Sequence, residues 1–210
     1  MSEVICNFQG LIQLPHLPNT IKILNCSNNR LTNISNLPDT LTLLYCRKNN
    51  FTTLINEKNG EMLPKTLKVL YCGDNNLIKL PEQLPDTLTE LSCSCNKITN
   101  LSKKLPDNLT YLWCYNNKLV KLPPLPDILR ILECHDNYLT KLPIQLPSSL
   151  IDLACWNNPF LFNCTGNLSP IDSNTWNNYR ILWNTQKRNK KKVIVLNYMN
   201  RDLYRECSKY

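Results

Sequence analysis

Leu88-Thr89-Glu90-Leu91-Ser92-Cys93-Ser94-Cys95-Asn96-Lys97-Ile98 is one copy of a unit that fills most of this 210-residue chain. The unit reads Leu-x-x-Leu-x-Cys-x-x-Asn-x-Leu-x-x-Leu, and a second phrase, Leu-Pro-x-x-Leu, separates successive copies. The copies are spaced by 20, 20, 26, 21, 21, 20 and 21 residues and are marked by eight cysteines: Cys6, Cys26, Cys46, Cys72, Cys93, Cys114, Cys134 and Cys155. A period of this length indicates a solenoid in which each unit stacks on its neighbours.

Alternation within the unit predicts a short strand with one buried face. Leu91 and Cys93 alternate with Ser92 and Ser94, which is the period of two that a half-buried strand shows. Cysteine is small and readily buried, so it fits a leucine-type position in a core. We therefore expect the periodic thiols to point inward and to stay reduced, because disulfides between adjacent strands would be strained.

The polar and proline positions of the unit predict the shape of the rest of each coil. An asparagine follows the strand in seven of the eight units, with Gln9 in the first, and it offers both a donor and an acceptor to backbone groups freed at a tight corner. Each Leu-Pro phrase disfavours helix, since proline lacks the N–H group and pushes the preceding residue into extended geometry. We expect the outer side of the coil to be extended and similar to polyproline.

The repeats resemble the leucine-rich-repeat (LRR) family, especially the short Leu-Pro-rich repeats of bacterial type III effectors. The cysteine in a leucine position and the richness in asparagine, lysine and isoleucine also resemble LRR proteins of giant DNA viruses such as mimivirus. The resemblance implies an α/β repeat fold: a right-handed solenoid with a parallel β-sheet on its concave side and an extended convex side. The solenoid is expected to cover residues 1–160 in about eight repeats, followed by a C-terminal cap over residues 161–210.

In such a solenoid one face of the sheet is open to a partner, and we call it the sheet face. It consists of the residues three before, one before and one after each of the eight periodic cysteines, which we call the ladder cysteines. Aromatic side chains are frequent there, beside the charged residues Lys48, Glu90, Glu133 and Asp136. Exposed tyrosine and tryptophan are typical of protein-binding surfaces, although aromatic residues also suit strands in general. The candidate partner-binding residues are Tyr45, Arg47, Tyr71, Tyr111, Trp113, Tyr115, His135, Tyr138 and Trp156.

The sequence offers no pattern for catalysis or for a cofactor. It has two histidines and four glycines, and neither a nucleophile–base motif nor a phosphate-binding glycine loop is present. His135 near Glu133 and Asp136 is best interpreted as a surface histidine. Cys93 and Cys95 do not form a Cys-x-x-Cys pair, so we expect no metal. We predict a protein that is not an enzyme, with no cofactor, no small-molecule substrate and no membrane span.

The last 50 residues differ in composition from the repeats. Residues 160–210 contain nine Lys/Arg and three Asp/Glu, against 15 and 13 in residues 1–159. Apolar residues recur there at helical spacing, which predicts a helical cap over the last repeat, although Val193–Leu196 also reads as the start of a strand. A basic run suggests nucleic-acid binding as an alternative role: Lys187, Arg188, Lys190, Lys191 and Lys192.

The predicted function is non-catalytic protein–protein interaction in the cytoplasm. If the viral resemblance holds, it implies a host protein as the partner and a location in host cytoplasm or in a virion. A ubiquitin-ligase-type effector is the alternative from another class, because similar bacterial repeats are joined to such a domain. Only about 50 residues follow the repeats here, and neither Cys164 nor Cys207 lies in a motif typical of that domain. The first unit is degenerate, so its strand edge is expected to be open to pairing with a second copy of the chain.

Overall fold

The structure is a computed structural model that describes residues 2–34, 36–55, 63–143 and 145–159, and the backbone of residues 194 and 195. Within them lies one parallel sheet whose strands follow chain order. Its strands are β1 (Glu3–Ile5), β2 (Ile23–Asn25), β3 (Leu43–Tyr45), β4 (Val69–Tyr71), β5 (Glu90–Ser92), β6 (Tyr111–Trp113), β7 (Ile131–Glu133), β8 (Asp152–Ala154) and β9 (Ile194–Val195).

Equivalent residues of successive repeats lie side by side in the sheet. Leu91 pairs with Leu70 on one side and Leu112 on the other, and the same register runs from β1 to β8. A one-residue slip would turn every buried leucine toward solvent, so the hydrophobic pattern fixes this register. The sheet is therefore a set of rows, each row carrying one position of the repeat.

The core contains the leucines and cysteines that point away from the sheet face. Leu91, Cys93, Leu112 and Cys114 each have no exposed surface. Of the ladder thiols, Cys155 in the last repeat is partly exposed and the other seven are buried. The prediction that the periodic thiols point inward is confirmed, and all of these cysteines are free thiols.

Asparagines form a ladder where each strand ends. The Asn96 side-chain amide donates to Cys93 O at 3.0 Å and to Cys72 O at 3.1 Å, and its oxygen accepts the N–H of Leu77 at 2.9 Å. Each such side chain thus joins its own repeat to the preceding one. The residue before it has a positive φ, as at Cys95 with 54°, which makes the corner. Most residues at this position are Asn or Asp, which tolerate that conformation.

The described part of the outer side contains no helix and has turns at the Leu-Pro phrases, and its extended geometry stays a prediction. In one turn the N–H of Leu88 donates to Pro85 O at 3.0 Å, and six other repeats have the same bond. The Thr87 hydroxyl then donates to Lys65 O and Leu67 O of the preceding repeat, both at 2.7 Å. Hydroxyl groups therefore link the coils on this side, where helices are absent from the described residues.

The predicted C-terminal cap falls almost wholly outside the described residues. Only β9 is described there, and it pairs in parallel with β8, Ile194 beside Asp152. This part of the tail is strand, in line with the alternative stated for Val193–Leu196. The boundary at residue 160 and the helical cap stay predictions. Residues 56–62 of the 26-residue repeat are also outside the described ranges.

Candidate functional site

The sheet face presents three rows of side chains across the parallel strands. One row, three residues before each cysteine, includes Glu90, Tyr111 and Ile131 on adjacent strands. The next row, one residue before the cysteine, includes Tyr71, Ser92, Trp113 and Glu133. The third row, one residue after the cysteine, follows the strand ends and contains Arg47, Gly73, Tyr115, His135 and Trp156.

Four aromatic side chains form one connected group on this face. Tyr45 and Tyr71 meet edge to face, with ring centroids 5.3 Å apart. Tyr71 contacts Trp113 edge to face at 6.0 Å, and Trp113 stacks on Tyr111 at 5.7 Å with an interplanar angle of 10°. Such pairs contribute about 0.5–1.5 kcal/mol each beyond the area they bury. This group is the Trp113 cluster: Tyr45, Tyr71, Tyr111 and Trp113.

Three rings of the third row form a separate stack. His135 lies between Tyr115, at 4.6 Å, and Trp156, at 4.1 Å, and both pairs are nearly parallel. The His135 Nδ1 is 2.6 Å from Asp136 Oδ2, and the other carboxylate oxygen of Asp136 accepts the Asn157 amide at 2.8 Å. Desolvation alone would raise the pKa of Asp136, but the hydrogen bonds from Asn157 and His135 lower it. The imidazole is thus fixed in place by ring faces and a carboxylate.

The structure brings together aromatic residues from two strands that are not adjacent. Tyr71 on β4 and Trp113 on β6 are two strands apart, and Ser92 between them is only 8% exposed. Gly73 and Ser94 are also buried, and a Cβ on Gly73 would lie 3.1 Å from Ser94 O and 3.4 Å from Arg47 Nε. Small residues therefore let large neighbours fold over them. Gly73 is the only glycine in this row of the sequence, and this was the signal from which the close packing could have been predicted.

Charged groups on the sheet face are held by specific partners. Arg47 forms an ion pair with Asp74 at 3.0 Å, a partner that sequence reasoning missed. The Tyr71 hydroxyl donates to Glu90 Oε2 at 2.5 Å. Burial, and next the hydrogen bond with Glu90, raise the pKa of Tyr71, so it stays a neutral donor. These contacts orient the aromatic rings from their polar ends.

Two carboxylates at the far end of the face are desolvated. Burial raises the pKa of Glu133, against the lowering effects of His135 and of a hydrogen bond with Trp113. Burial also raises the pKa of Asp152 on the next strand, and the Asp152 charge adds to the raised pKa of Glu133. Ionising these two carboxylates is therefore less favourable here than in water.

The other predicted site residues lie elsewhere. Tyr138 follows the asparagine corner, with its N–H bonded to Leu119 O and its side chain 56% exposed, and it has no ring contact with the described aromatics. The sequence predicts Tyr138 to be a partner-binding residue, and the structure separates it from the Trp113 cluster. The basic run Lys187–Lys192 lies outside the described residues.

The described residues contain no group of three or more His, Cys, Asp or Glu placed to hold a metal ion. Among the described residues there is also no helix long and apolar enough to span a membrane. The described contacts of His135 are with a carboxylate and two ring faces, with no hydroxyl or thiol bonded to it.

No protein-family model matches the chain, and no curated protein sequence matches it significantly. Solved structures do match. The LRR domain of a Shigella effector shares 32% identity with a TM-score of 0.67, covering 76% of this chain and 70% of that one. YopM from Yersinia enterocolitica shares 30% identity with a TM-score of 0.64, over 75% of this chain and 38% of that one. The chain thus spans well under half the length of YopM.

A third similar structure also shares the cysteine feature. It is the functional domain of InlJ from Listeria monocytogenes, which includes a cysteine ladder. Identity is 26% and the TM-score 0.63, over 75% of this chain and 40% of that one. The bacterial side of the predicted resemblance is confirmed, and the resemblance to giant-virus proteins stays a prediction.

Proposed function

The chain belongs to the leucine-rich-repeat family, and we propose that it is a non-catalytic module that binds a partner protein through the sheet face. The proposal is carried by one observation, the continuous contact of four half-exposed aromatic rings in the Trp113 cluster. Tyrosine and tryptophan dominate the energetics of protein interfaces because they bury large area at a small entropic cost. The rings are already ordered by their neighbours, so little further ordering is needed on binding.

The second stack supports the same surface. Tyr115, His135 and Trp156 are held parallel by contacts within the chain. A prearranged row of ring faces offers flat apolar area with polar edges, which suits a protein surface. The similar Shigella structure is the LRR domain of an effector, which is consistent with an interaction role.

The proposal is tested by recovery of partner proteins on the immobilised full chain. Trp113→Ala with Tyr115→Ala removes one ring from each aromatic group, and at about 2 kcal/mol per hot-spot residue should weaken partner binding by at least about 30-fold. Ile78→Ala with Val120→Ala is the matched control, since both side chains are exposed beyond the asparagine corners. Circular dichroism should show both variants folded. Equal recovery by both variants would contradict the proposal.

The ubiquitin-ligase alternative has a direct test. A ligase of this type would accept ubiquitin from a charged conjugating enzyme on a cysteine. We expect no discharge of ubiquitin from the conjugating enzyme in the presence of the full chain. Discharge that Cys164→Ala or Cys207→Ala removes would establish the ligase instead.

Nucleic-acid binding through the basic run is the other alternative. It predicts an affinity that falls steeply with salt, because lysines and arginines displace condensed counterions from phosphates. A duplex DNA or single-stranded RNA probe titrated at two salt concentrations measures this. Absence of salt-sensitive binding removes this alternative and leaves the sheet-face proposal standing.

A further inference from the structure

The sheet face has a charge opposite to that of the chain. The whole chain has a formal charge of +8 at pH 7. The three rows of the sheet face nevertheless carry four carboxylates, Glu3, Glu90, Glu133 and Asp152, and one cation, Arg47. Arg47 is already neutralised by Asp74 at 3.0 Å. The face available to a partner is therefore acidic in a basic protein.

The acidic groups flank the stacked part of the Trp113 cluster. Glu90 is the register neighbour of Tyr111, one strand away, and Glu133 is the register neighbour of Trp113 on the other side. Neighbouring strands are roughly 4.8 Å apart, so each carboxylate lies within reach of a group placed on the adjacent ring. Asp152 continues the row of Tyr111 two strands farther on.

These carboxylates lack a cationic partner within the described residues. Ion pairs there involve Arg47, Lys104 and His135, and none includes Glu90, Glu133 or Asp152. His135 is the basic group that acts on Glu133, and its Nδ1 is held by Asp136. Half-buried carboxylates of this kind are poorly solvated, and a cation delivered by a partner would compensate them.

We propose that the sheet face recognises a basic segment of its partner protein, with a lysine or arginine side chain placed on the Tyr111–Trp113 stack between Glu90 and Glu133. This inference rests on the proposed function and names the chemistry of the partner. A cation over an aromatic face is attracted by the ring quadrupole, and the adjacent carboxylates add charge-assisted hydrogen bonds. Arginine suits the site best, because its planar group stacks on a ring while its N–H groups reach a carboxylate.

The same arrangement disfavours the competing occupants. An acidic peptide or a nucleic-acid phosphate on this face would meet Glu90, Glu133 and Asp152, and none of these carboxylates is in an ion pair within the described residues. A purely apolar segment would bury these carboxylates without compensation. Charge complementarity therefore selects a basic segment over an acidic or neutral one.

The test uses three fluorescently labelled 12-residue peptides of equal length: alternating Arg-Gly, alternating Glu-Gly and alternating Ser-Gly. Binding to the full chain is measured by fluorescence anisotropy at low salt. The matched variants are Glu133→Gln with Asp152→Asn on the sheet face, and Asp86→Asn with Asp127→Asn at exposed turns of the outer side. Both double variants remove two negative charges, so a general charge effect changes both equally.

We expect the Arg-Gly peptide to bind most tightly, the sheet-face variant to weaken it at least tenfold, and the outer-side variant to change it less than twofold. The sheet-face variant should melt no lower than the parent at pH 7, because burial raises the pKa of both carboxylates and so disfavours their ionised forms. Equal weakening by both variants, or equal binding of the three peptides, would overturn the inference.

A second measurement separates this inference from the proposed function. The natural partners recovered on the parent chain are compared on both sheet-face variants. Loss with Trp113→Ala and Tyr115→Ala but full retention with Glu133→Gln and Asp152→Asn would overturn the basic-segment inference and leave partner binding intact. Loss with both sheet-face variants supports the two proposals together, provided that the two control variants, Ile78→Ala with Val120→Ala and Asp86→Asn with Asp127→Asn, retain the partners.

Discussion

At the scale of single residues, the asparagine ladder holds neighbouring coils together. Asn117 donates to Cys93 O at 3.0 Å and to Cys114 O at 3.2 Å, and it accepts the N–H of Ile98 at 3.0 Å. These backbone groups have no strand partner at the corner. Cys93 O also accepts from Asn96, and Cys114 O also accepts from Asn137, so two successive asparagines bond each carbonyl, whereas the N–H of Ile98 donates to Asn117. The position requires a side chain that both donates and accepts and that reaches the backbone of two repeats. This explains the asparagine in each regular repeat.

Replacing Asn117 by alanine should therefore destabilise the protein by about 2 kcal/mol, because the N–H of Ile98 loses its acceptor at about 1–3 kcal/mol and the carbonyls of Cys93 and Cys114 each lose one of two donors. Urea unfolding followed by circular dichroism measures the change. Asn50→Ala is the control, since Asn50 is exposed at the following position of the repeat. A loss at Asn117 no larger than that at Asn50 would show that the ladder contributes little.

The buried thiols make the protein sensitive to alkali. Burial raises the pKa of Cys93 from 9.0 to about 12, and it raises the pKa of Cys26 to about 12 as well. The unfolded chain loses these protons near pH 9, whereas the folded chain retains them. The stability present below pH 9 is therefore lost as the pH rises toward 12.

The free energy of unfolding should fall from pH 9 to pH 10.5 in the presence of a reductant, and fall less steeply in Cys93→Ala. The alanine variant begins from a lower stability, but it has one fewer thiol to deprotonate on unfolding. Urea midpoints at several pH values measure both slopes, and comparison of the two proteins removes the effects of lysine and tyrosine. Parallel curves would mean that Cys93 does not titrate as a buried thiol.

At the scale of the elements, strands β4 and β5 depend on small residues. Gly73 follows β4, and a Cβ there would meet the backbone oxygen of Ser94 at 3.1 Å. That oxygen accepts the N–H of Asp74 at 2.9 Å, so it is not free to move away. Because residue 73 has no side chain, Arg47 can also lie across this strand and reach Asp74.

Gly73→Ala should cost roughly 1–3 kcal/mol of stability by overpacking, and Gly73→Val should cost more. Ser27→Ala, in the same row two strands away, should change stability by less than either. Thermal unfolding measures all three. A stability that does not fall with side-chain size at residue 73 would contradict the close packing described for β4 and β5.

Much of this element structure was predictable from the sequence because the repeat makes each position visible eight times. The alternation of Leu91 and Cys93 with serines predicted the strand, and the prolines predicted an outer side without helix. The grouping of the aromatics was less predictable. Tyr71 and Trp113 meet only because Ser92 is small, and the pair Arg47–Asp74 depends on Gly73, so both are set by cross-strand packing.

The tail was the least predictable element. Its apolar spacing is compatible with a helix, but Val195 pairs with Leu153 in the sheet. The spacing of a short apolar run fits either a helix or a strand. The edge strand β8 offers backbone hydrogen-bond partners, which favours the strand. The repeat provides no second copy of this segment against which to compare the pattern.

At the scale of the whole molecule, the N-terminal end of the sheet is open within the described residues. The β1 strand pairs only with β2, and large apolar side chains are exposed in the first repeat: Ile5 at 59%, Phe8 at 73% and Ile12 at 68%. An unpaired edge beside apolar side chains favours pairing with another chain. The predicted homodimer through this edge therefore has a defined surface.

We expect the full chain to dimerise as its concentration rises, and Ile5→Lys to shift it toward the monomer. Lysine at an edge opposes pairing by repulsion between the two copies. Small-angle X-ray scattering over a concentration series gives the average mass. A monomer throughout, at the highest concentration reached, would dispose of the dimer.

The whole account depends on the division between an inward side, which carries the ladder thiols, and an outward side, which carries the aromatic rings. Alkylation of the native, reduced protein followed by mass spectrometry measures which thiols are accessible. We predict that Cys46, Cys72, Cys93 and Cys114 react at least about 100-fold more slowly than in urea, whereas Cys95 reacts early. Ladder thiols that react in the native protein as fast as in urea would contradict it.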